Sequence, residues 1–264
     1  MGWKKLETDP ILGEFIALEA LGSSLVVRRG YEPFAELLTP EGLSAPDLPI
    51  EGYTSGGRAA HPVVLLPNGE RILLREYRRG GFIRHFNRRR YFFGHRAFEE
   101  LRATAHAAAA GVQVPRVIAA AERHSGLGYT ATLATLWIDG VTEAAEWLKA
   151  ASARARAEIL RVAGRQISTM HNAGIAHPDL NLRNILIREK GEVADEVSVY
   201  LIDFDRSVIT PHPVVSARRA RDLLRLGRSA RKLGLPLEAN DGWSALRSGY
   251  GSGWPEGSGI PTRS

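Results

Sequence analysis

The chain has 264 residues, 44% of them hydrophobic, enough for a packed core, and this excludes global disorder. It contains no cysteine and no apolar run near the roughly 18 residues of a membrane span, so disulfides, thiolate metal sites and a spanning helix are all excluded. The net charge of +6 rests on arginine, since lysine occurs only at Lys4, Lys5, Lys149, Lys190 and Lys232; arginine grips phosphate and carboxylate with two parallel hydrogen bonds, and the partner expected is an anion: nucleotide, nucleic acid, acidic lipid or acidic sugar.

The first residues, Met1-Gly2-Trp3-Lys4-Lys5-Leu6-Glu7, lack the apolar core of a signal peptide, so cytoplasmic residence is expected. Residues 15–18 and 25–27 read as short strands, after which Pro40, Pro46 and Pro49 interrupt regular structure. Gly56 and Gly57 lie just ahead of a hairpin formed by 63–66, the turn Pro67-Asn68-Gly69-Glu70, and a returning strand over 71–77. Such glycines can bring backbone amides to phosphates, although they lack a full G-x-G-x-x-G spacing and a plain flexible turn would read the same way.

Arginines and aromatics then interleave from Arg78 to Phe93, with Arg88-Arg89-Arg90 as the densest charge. This run suits a nucleic-acid surface, a grip on an acidic glycolipid, or a solvated arginine face over a small aromatic core. Alanine-rich residues 96–110 predict a helix that carries Glu100 and ends at Gly111. Strands are expected over 117–122 and 129–136 around a Ser125-Gly126 turn, followed by a hinge at 137–140. Residues 152–173 predict a helix whose Leu160, Ala163, Ile167 and Met170 repeat at helical spacing, closed by Gly174.

The most informative stretch follows. His177-Pro178-Asp179-Leu180-Asn181-Leu182-Arg183-Asn184 precedes the apolar run Ile185-Leu186-Ile187, and Val199-Tyr200-Leu201-Ile202 precedes Asp203-Phe204-Asp205. Two buried strands joined by a polar turn would bring Asp179, Asn184 and Asp203 together. These are the parts of metal-assisted phosphoryl transfer: one carboxylate orients the attacking hydroxyl, while an amide and a second carboxylate hold Mg²⁺. The His-x-Asp, the spacing to Asn184 and the strand-end Asp203 together match the protein-kinase signature. In that setting Glu100 would pair with a phosphate-binding cation on a neighbouring strand, although an exposed helix glutamate has the same appearance in sequence.

Beyond Asp205, residues 216–232 predict a helix stopped by Gly234. Its Asp222 either braces the catalytic loop or is an ordinary surface carboxylate, and the second reading is favoured. Glycine, serine and proline dominate 248–264, which reads as a flexible tail. The expected fold is α+β and protein-kinase-like, with an N-terminal nucleotide-binding lobe over 1–136 and a mostly helical catalytic lobe over 137–247.

The His177–Leu186 run together with Leu201-Ile202-Asp203-Phe204-Asp205 resembles the 3-deoxy-D-manno-octulosonic acid (Kdo) kinases, bacterial lipopolysaccharide kinases with a protein-kinase-like fold. Leu74-Arg75-Glu76-Tyr77-Arg78-Arg79-Gly80-Gly81, Val114-Pro115 and the Leu-x-Arg-Leu-x-Arg-Ser pattern from Leu223 to Ser229 carry the same resemblance. It implies ATP-dependent phosphorylation of a Kdo hydroxyl on a lipid A precursor, with Asp179 as base, Asn184 and Asp203 as Mg²⁺ ligands, and Glu100 orienting the phosphate cation. It also implies peripheral association with the anionic cytoplasmic face of the inner membrane. Nucleic acid is not expected as a partner.

Two departures from protein kinases stand out. Asp205 replaces the glycine that follows Asp-Phe, and no lysine occurs between Lys5 and Lys149. Arg75 is the candidate for the strand cation, and Gly56 and Gly57 for phosphate contact. Asn181, where protein kinases carry a lysine, favours a sugar or small-molecule acceptor by analogy. Three other readings stay open: a kinase acting on heptose, on another small molecule or on protein; a catalytically impaired kinase fold serving as a binding module; and a nucleic-acid binder.

Overall fold

Side chains alternate across a strand, and the run Leu25-Val26-Val27 is buried on both sides. Leu25 and Val27 join one apolar cluster and Val26 another, so the sheet they belong to is covered on both faces. In the computed structural model, which describes residues 13–54, 60–77, 96–125, 128–189, 197–238, 241–256 and 260, β1 (Phe15–Ala20) pairs antiparallel with β2 (Ser23–Arg28). The two-residue turn between them, Leu21-Gly22, has positive φ at both positions, the geometry that matches strand twist. Gly56, Gly57 and the arginine–aromatic run over 78–93 lie outside the described residues.

The chain forms two compact units. The first takes the described residues up to Ala105 and then Arg116–Trp137; the second takes His106–Pro115 and the chain from Ile138 onward. In the first unit β3 (Ile50–Tyr53), β4 (Pro62–Leu65), β5 (Arg71–Tyr77), β6 (Val117–Ser125) and β7 (Gly128–Leu136) complete an antiparallel sheet in the order β1-β2-β6-β7-β5-β4-β3. The Asn-Gly turn expected between β4 and β5 forms, with Gly69 at φ 82° and the Leu66 N–H donating to Glu70 O at 2.8 Å.

Helix α1 (Arg96–Ala109) lays Ala97, Phe98, Leu101 and Ala105 on Val26, Val117, Ala120, Ala131 and Leu133. The opposite face is covered by the proline-interrupted segment after β2, through Tyr31, Leu38 and the partly buried Phe34, Leu37 and Leu43. Each fully buried leucine of this kind contributes about 1.5–3 kcal/mol by leaving water. Along β5, Ile72 and Leu74 belong to the second of these clusters. Period-two alternation therefore sends Arg75 and Tyr77 to the α1 side.

In the second unit α2 (Ala144–Ala150) precedes α3 (Ala153–Asn172). Ser152 caps α3 by accepting the Ala155 N–H at 3.3 Å. The expected stripe is buried, with Leu160, Ala163, Ile167 and Met170 joined by Ile159, Gly164 and His171. Gly174 ends the helix at φ 79°, and a Cβ there would lie 2.2 Å from Thr210 O, so both backbone sign and space demand glycine. Then β8 (Val141–Glu143), β10 (Ile185–Glu189) and β11 (Val197–Leu201) make a sheet ordered β11-β10-β8, while β9 (Ile175–Ala176) pairs with β12 (Val208–Ile209).

Helix α4 (Ser216–Lys232) has the bounds the sequence predicts. Helix α5 (Gly242–Tyr250) differs from expectation. Composition marks the chain from Ser248 as loose, yet α5 continues to Tyr250, a 3-10 turn covers Gly251–Gly253, and Tyr250, Trp254 and Ile260 are buried. The glycines serve close packing. A Cβ on Gly164 of α3 would meet Leu246 O at 2.2 Å, and one on Gly249 of α5 would meet Arg161 O at 1.8 Å. Low side-chain content therefore reads as a tail in sequence and as a helix-crossing point in the fold.

Candidate active site

The hairpin predicted beyond His177 forms, with β10 and β11 antiparallel and Ile185 opposite Leu201. One step past that pair, the Ile202 N–H donates to Asn184 O at 3.0 Å, which sets Asn184 beside the start of Ile202-Asp203-Phe204. Asn184 also reaches back: its Nδ2 donates to the Asp179 carbonyl at 2.9 Å. The Asn181 amide donates to the same carbonyl at 2.8 Å, while its Oδ1 accepts the Arg183 N–H at 2.9 Å. Two amide side chains thus clamp the Asp179 backbone, and Asp179, Asn184 and Asp203 are gathered into one region of the second unit.

Asp203 sits at φ 64°, in the left-handed region where non-glycine residues are uncommon. Its neighbours hold that conformation. Ile202 is bonded on both sides, by its N–H to Asn184 and by its carbonyl, which accepts His177 Nε2–H at 3.1 Å. Phe204 is buried against the His177 ring, with centroids 5.1 Å apart. Backbone strain persists only where surroundings over-determine it, and it concentrates where a side chain must be aimed.

His177 is fully buried and so acts through structure: it ties the His-x-Asp turn to the Asp203 segment. Its own N–H donates to Asp222 Oδ2 at 2.8 Å. Asp222 is 4% exposed, so the favoured reading of it as a surface carboxylate is corrected. The sequence hides this because α4 is arginine-rich on nearly every face, and only packing reveals that Arg219 and Asp222 turn inward.

Asp222 also accepts His171 Nε2–H at 3.2 Å, which leaves His171 Nδ1 to accept the Tyr250 hydroxyl proton at 2.6 Å. Arg219 donates to the Tyr250 oxygen at 3.2 Å, to Val214 O at 2.6 Å and to Asn172 Oδ1 at 2.9 Å. This donor order requires a neutral imidazole. Burial holds the His171 pKa below its ordinary value despite the Asp222 carboxylate, which pulls the other way. Burial likewise pushes the Tyr250 hydroxyl up to about 12, so it remains a donor. Sequence reasoning missed His171, Arg219 and Tyr250; the only signal was three polar residues at positions that helix periodicity assigns to a core.

In the first unit Glu100 is buried, 2% exposed, and Arg75 Nη1 donates to its Oε1 at 2.7 Å. Tyr77 hydroxyl donates to Oε2, and the Arg75 guanidinium lies 5.7 Å from the Tyr77 ring centroid. Alternation along β5 and the α1 repeat produce this pairing, and Tyr77 is a further partner that the sequence reading did not single out.

Asp179 itself is half-exposed and forms an ion pair with Arg225 of α4. Asp205 is within 3.9 Å of Arg206. Among the described residues no group of three His, Cys, Asp or Glu side chains could hold a metal ion. A Mg²⁺ that takes most of its ligands from phosphates and water needs only one or two protein oxygens, and Asn184 and Asp203 are hard-oxygen donors of that type. No helix among the described residues is long and apolar enough to cross a membrane.

Comparison with known proteins gives a consistent picture. Residues 65–250 match the Lipopolysaccharide kinase (Kdo/WaaP) family. The chain is 35% identical over 184 residues to 3-deoxy-D-manno-octulosonic acid kinase of Xylella fastidiosa strain 9a5c, covering 68% of this chain and 69% of that one. It is 35% identical over 204 residues to the protein of the same name from Xanthomonas oryzae pv. oryzae strain PXO99A, covering 75% and 76%. Among solved structures, WaaP in complex with acyl carrier protein matches with a TM-score of 0.58 at 20% identity, covering 86% of this chain and 88% of that chain. At that identity the likeness speaks for the fold, and the α+β, protein-kinase-like expectation holds. A match that runs from β4 to the end of α5, with relatives aligned over more than two thirds of their length, makes this chain a member of the lipopolysaccharide kinase (Kdo/WaaP) family.

Proposed function

We propose that this kinase transfers the γ-phosphate of ATP to a hydroxyl of Kdo on a lipid A precursor. The observation that carries the reading is the gathering of Asp179, Asn184 and Asp203 by Asn184 Nδ2 on the Asp179 carbonyl and by Ile202 N–H on the Asn184 carbonyl. Asp179 accepts the proton of the attacking hydroxyl. Asn184 and Asp203 would hold Mg²⁺, which supplies charge neutralisation to the nucleotide phosphates when bound. Arg75, fixed by Glu100 and Tyr77, stands in for the strand lysine as the phosphate cation. Its forked guanidinium offers the phosphates two parallel donors where a lysine offers one point charge. Gly56 and Gly57 are assigned to phosphate contact on sequence alone.

The test is phosphate transfer from ATP to purified Kdo-lipid A, with the product detected by mass. Asp179→Asn should lower turnover by roughly 10²–10⁴-fold while leaving the fold intact. Turnover at the wild-type level in that variant removes Asp179 from the role of base. Labelling of heptosylated core or of protein in place of Kdo-lipid A moves the acceptor to the alternatives named above. The formed Arg75–Glu100 pair supports an operative nucleotide lobe over a mere binding module.

The same reading extends to location. The arginines Arg88, Arg89 and Arg90 are proposed to meet the anionic leaflet that carries the acceptor. Replacing all three with alanine should weaken sedimentation with anionic vesicles, and unchanged sedimentation would leave them as a solvated face.

A further inference from the structure

The outward face of α4 carries Arg221, Arg225 and Arg228, spaced as helical neighbours and all exposed. The inward face is occupied by Arg219, Asp222, Leu223 and Leu226, so the three arginines have no route into the core. The turn Leu182–Asn184 lies alongside, with the Leu182 N–H donating to Ser229 Oγ at 3.4 Å. Arg225, in the middle of the row, holds the carboxylate of Asp179. Among the described residues Arg221 and Arg228 form no ion pair.

This is a carboxylate seat already occupied by a carboxylate. Both partners are nearly half-exposed, 47% for Arg225 and 46% for Asp179. A pair at that exposure adds little stability and exchanges readily for a competing anion. Resting on the reading above, in which Asp179 meets the acceptor hydroxyl, we propose that Arg225 is the residue that recognises the acceptor's own carboxylate, with Arg221 and Arg228 supplying the surrounding positive field. The acid group of an octulosonic acid takes the place of the Asp179 carboxylate on the guanidinium fork. That exchange frees Asp179 for the hydroxyl and sets the sugar beside it. The same interaction thereby selects an acidic sugar over a neutral one and positions the acceptor relative to the base.

The experiment uses the full chain and two acceptors, Kdo-lipid A and its Kdo carboxylate methyl ester, with Arg225→Ala and Arg225→Lys. The wild type should show a KM roughly tenfold or more higher for the ester, the size expected for one charge-assisted bond. Arg225→Ala should show the same high KM for both acceptors, with the KM for ATP unchanged, and Arg225→Lys should recover part of the discrimination. Calorimetric titration of free Kdo, which needs no turnover, should show wild-type binding that Arg225→Ala loses. If Arg225→Ala distinguishes acid from ester as the wild type does, or binds free Kdo equally well, the inference is overturned. Absent transfer in the wild type together with Arg225-dependent Kdo binding would instead count against the proposed reaction while supporting the seat.

Discussion

Asp222, on α4, accepts the backbone N–H of His177 at 2.8 Å and the imidazole N–H of His171 at 3.2 Å through one buried carboxylate oxygen. The turn that carries Asp179 is therefore anchored from below by a residue far from it in sequence. Asp222→Ala leaves two buried donors without an acceptor, at about 1–3 kcal/mol for such a group. The urea midpoint should fall accordingly, with phosphate transfer falling further because Asp179 loses its fixed position. An unchanged midpoint would mean that water replaces the carboxylate without loss.

The His171 relay makes stability depend on pH. Burial lowers the His171 pKa in the folded state below its ordinary 6.5. The unfolded chain consequently takes up a proton in a range where the folded chain does not, and stability decreases as pH falls from about 6.5 toward the lower folded value. Above that window His171 contributes no slope. His171→Gln should be less stable at neutral pH yet lose this part of the acid dependence, and urea melts between pH 5 and pH 8, roughly the range where histidine titrates, would measure the difference in slope.

Arg75 and Glu100 form a pair in which the carboxylate is buried and the guanidinium is 25% exposed. Removing the cation takes a charged donor from the buried Glu100 carboxylate, while the Tyr77 hydroxyl still donates to its Oε2. Arg75→Ala should destabilise by roughly 1–3 kcal/mol and raise the KM for ATP about tenfold or more. Arg75→Lys tests the fork: a recovered melting temperature with a still-raised KM for ATP would assign bidentate phosphate contact to the guanidinium, while full recovery of both would show that a single point charge suffices.

Gly249 lies where α5 crosses α3, and an added Cβ would fall 1.8 Å from Arg161 O. Backbone cannot yield as a side-chain tip can, so Gly249→Ala should cost about 1–3 kcal/mol or more through forced separation of the helices. Thermal denaturation checks this directly. A wild-type melting temperature would mean that α5 can shift along α3 at little cost.

Much of this molecule was legible in the residue order. Local periodicity determined β2, β5, α1, α3 and α4, because a strand or helix with one buried face must repeat its apolar residues at the period of its backbone. The spacing from His177 to Asn184, with the apolar runs that follow it, pointed to Asp179, Asn184 and Asp203, because two short strands paired antiparallel leave few ways to arrange their ends. What only the tertiary structure decided were matters of long-range partnership. Asp222 lies 45 positions from the N–H it accepts and Tyr250 79 positions from the imidazole it meets. Nothing local distinguishes a buried arginine or aspartate on α4 from the exposed arginines beside them. The glycine-poor or glycine-rich look of a segment is equally silent on whether another helix presses against it, and Gly249 became a contact because Arg161 stands opposite. Burial, and with it the cost of leaving a polar group unpaired, is a property of the folded neighbourhood, and that neighbourhood is set by residues distant in the chain.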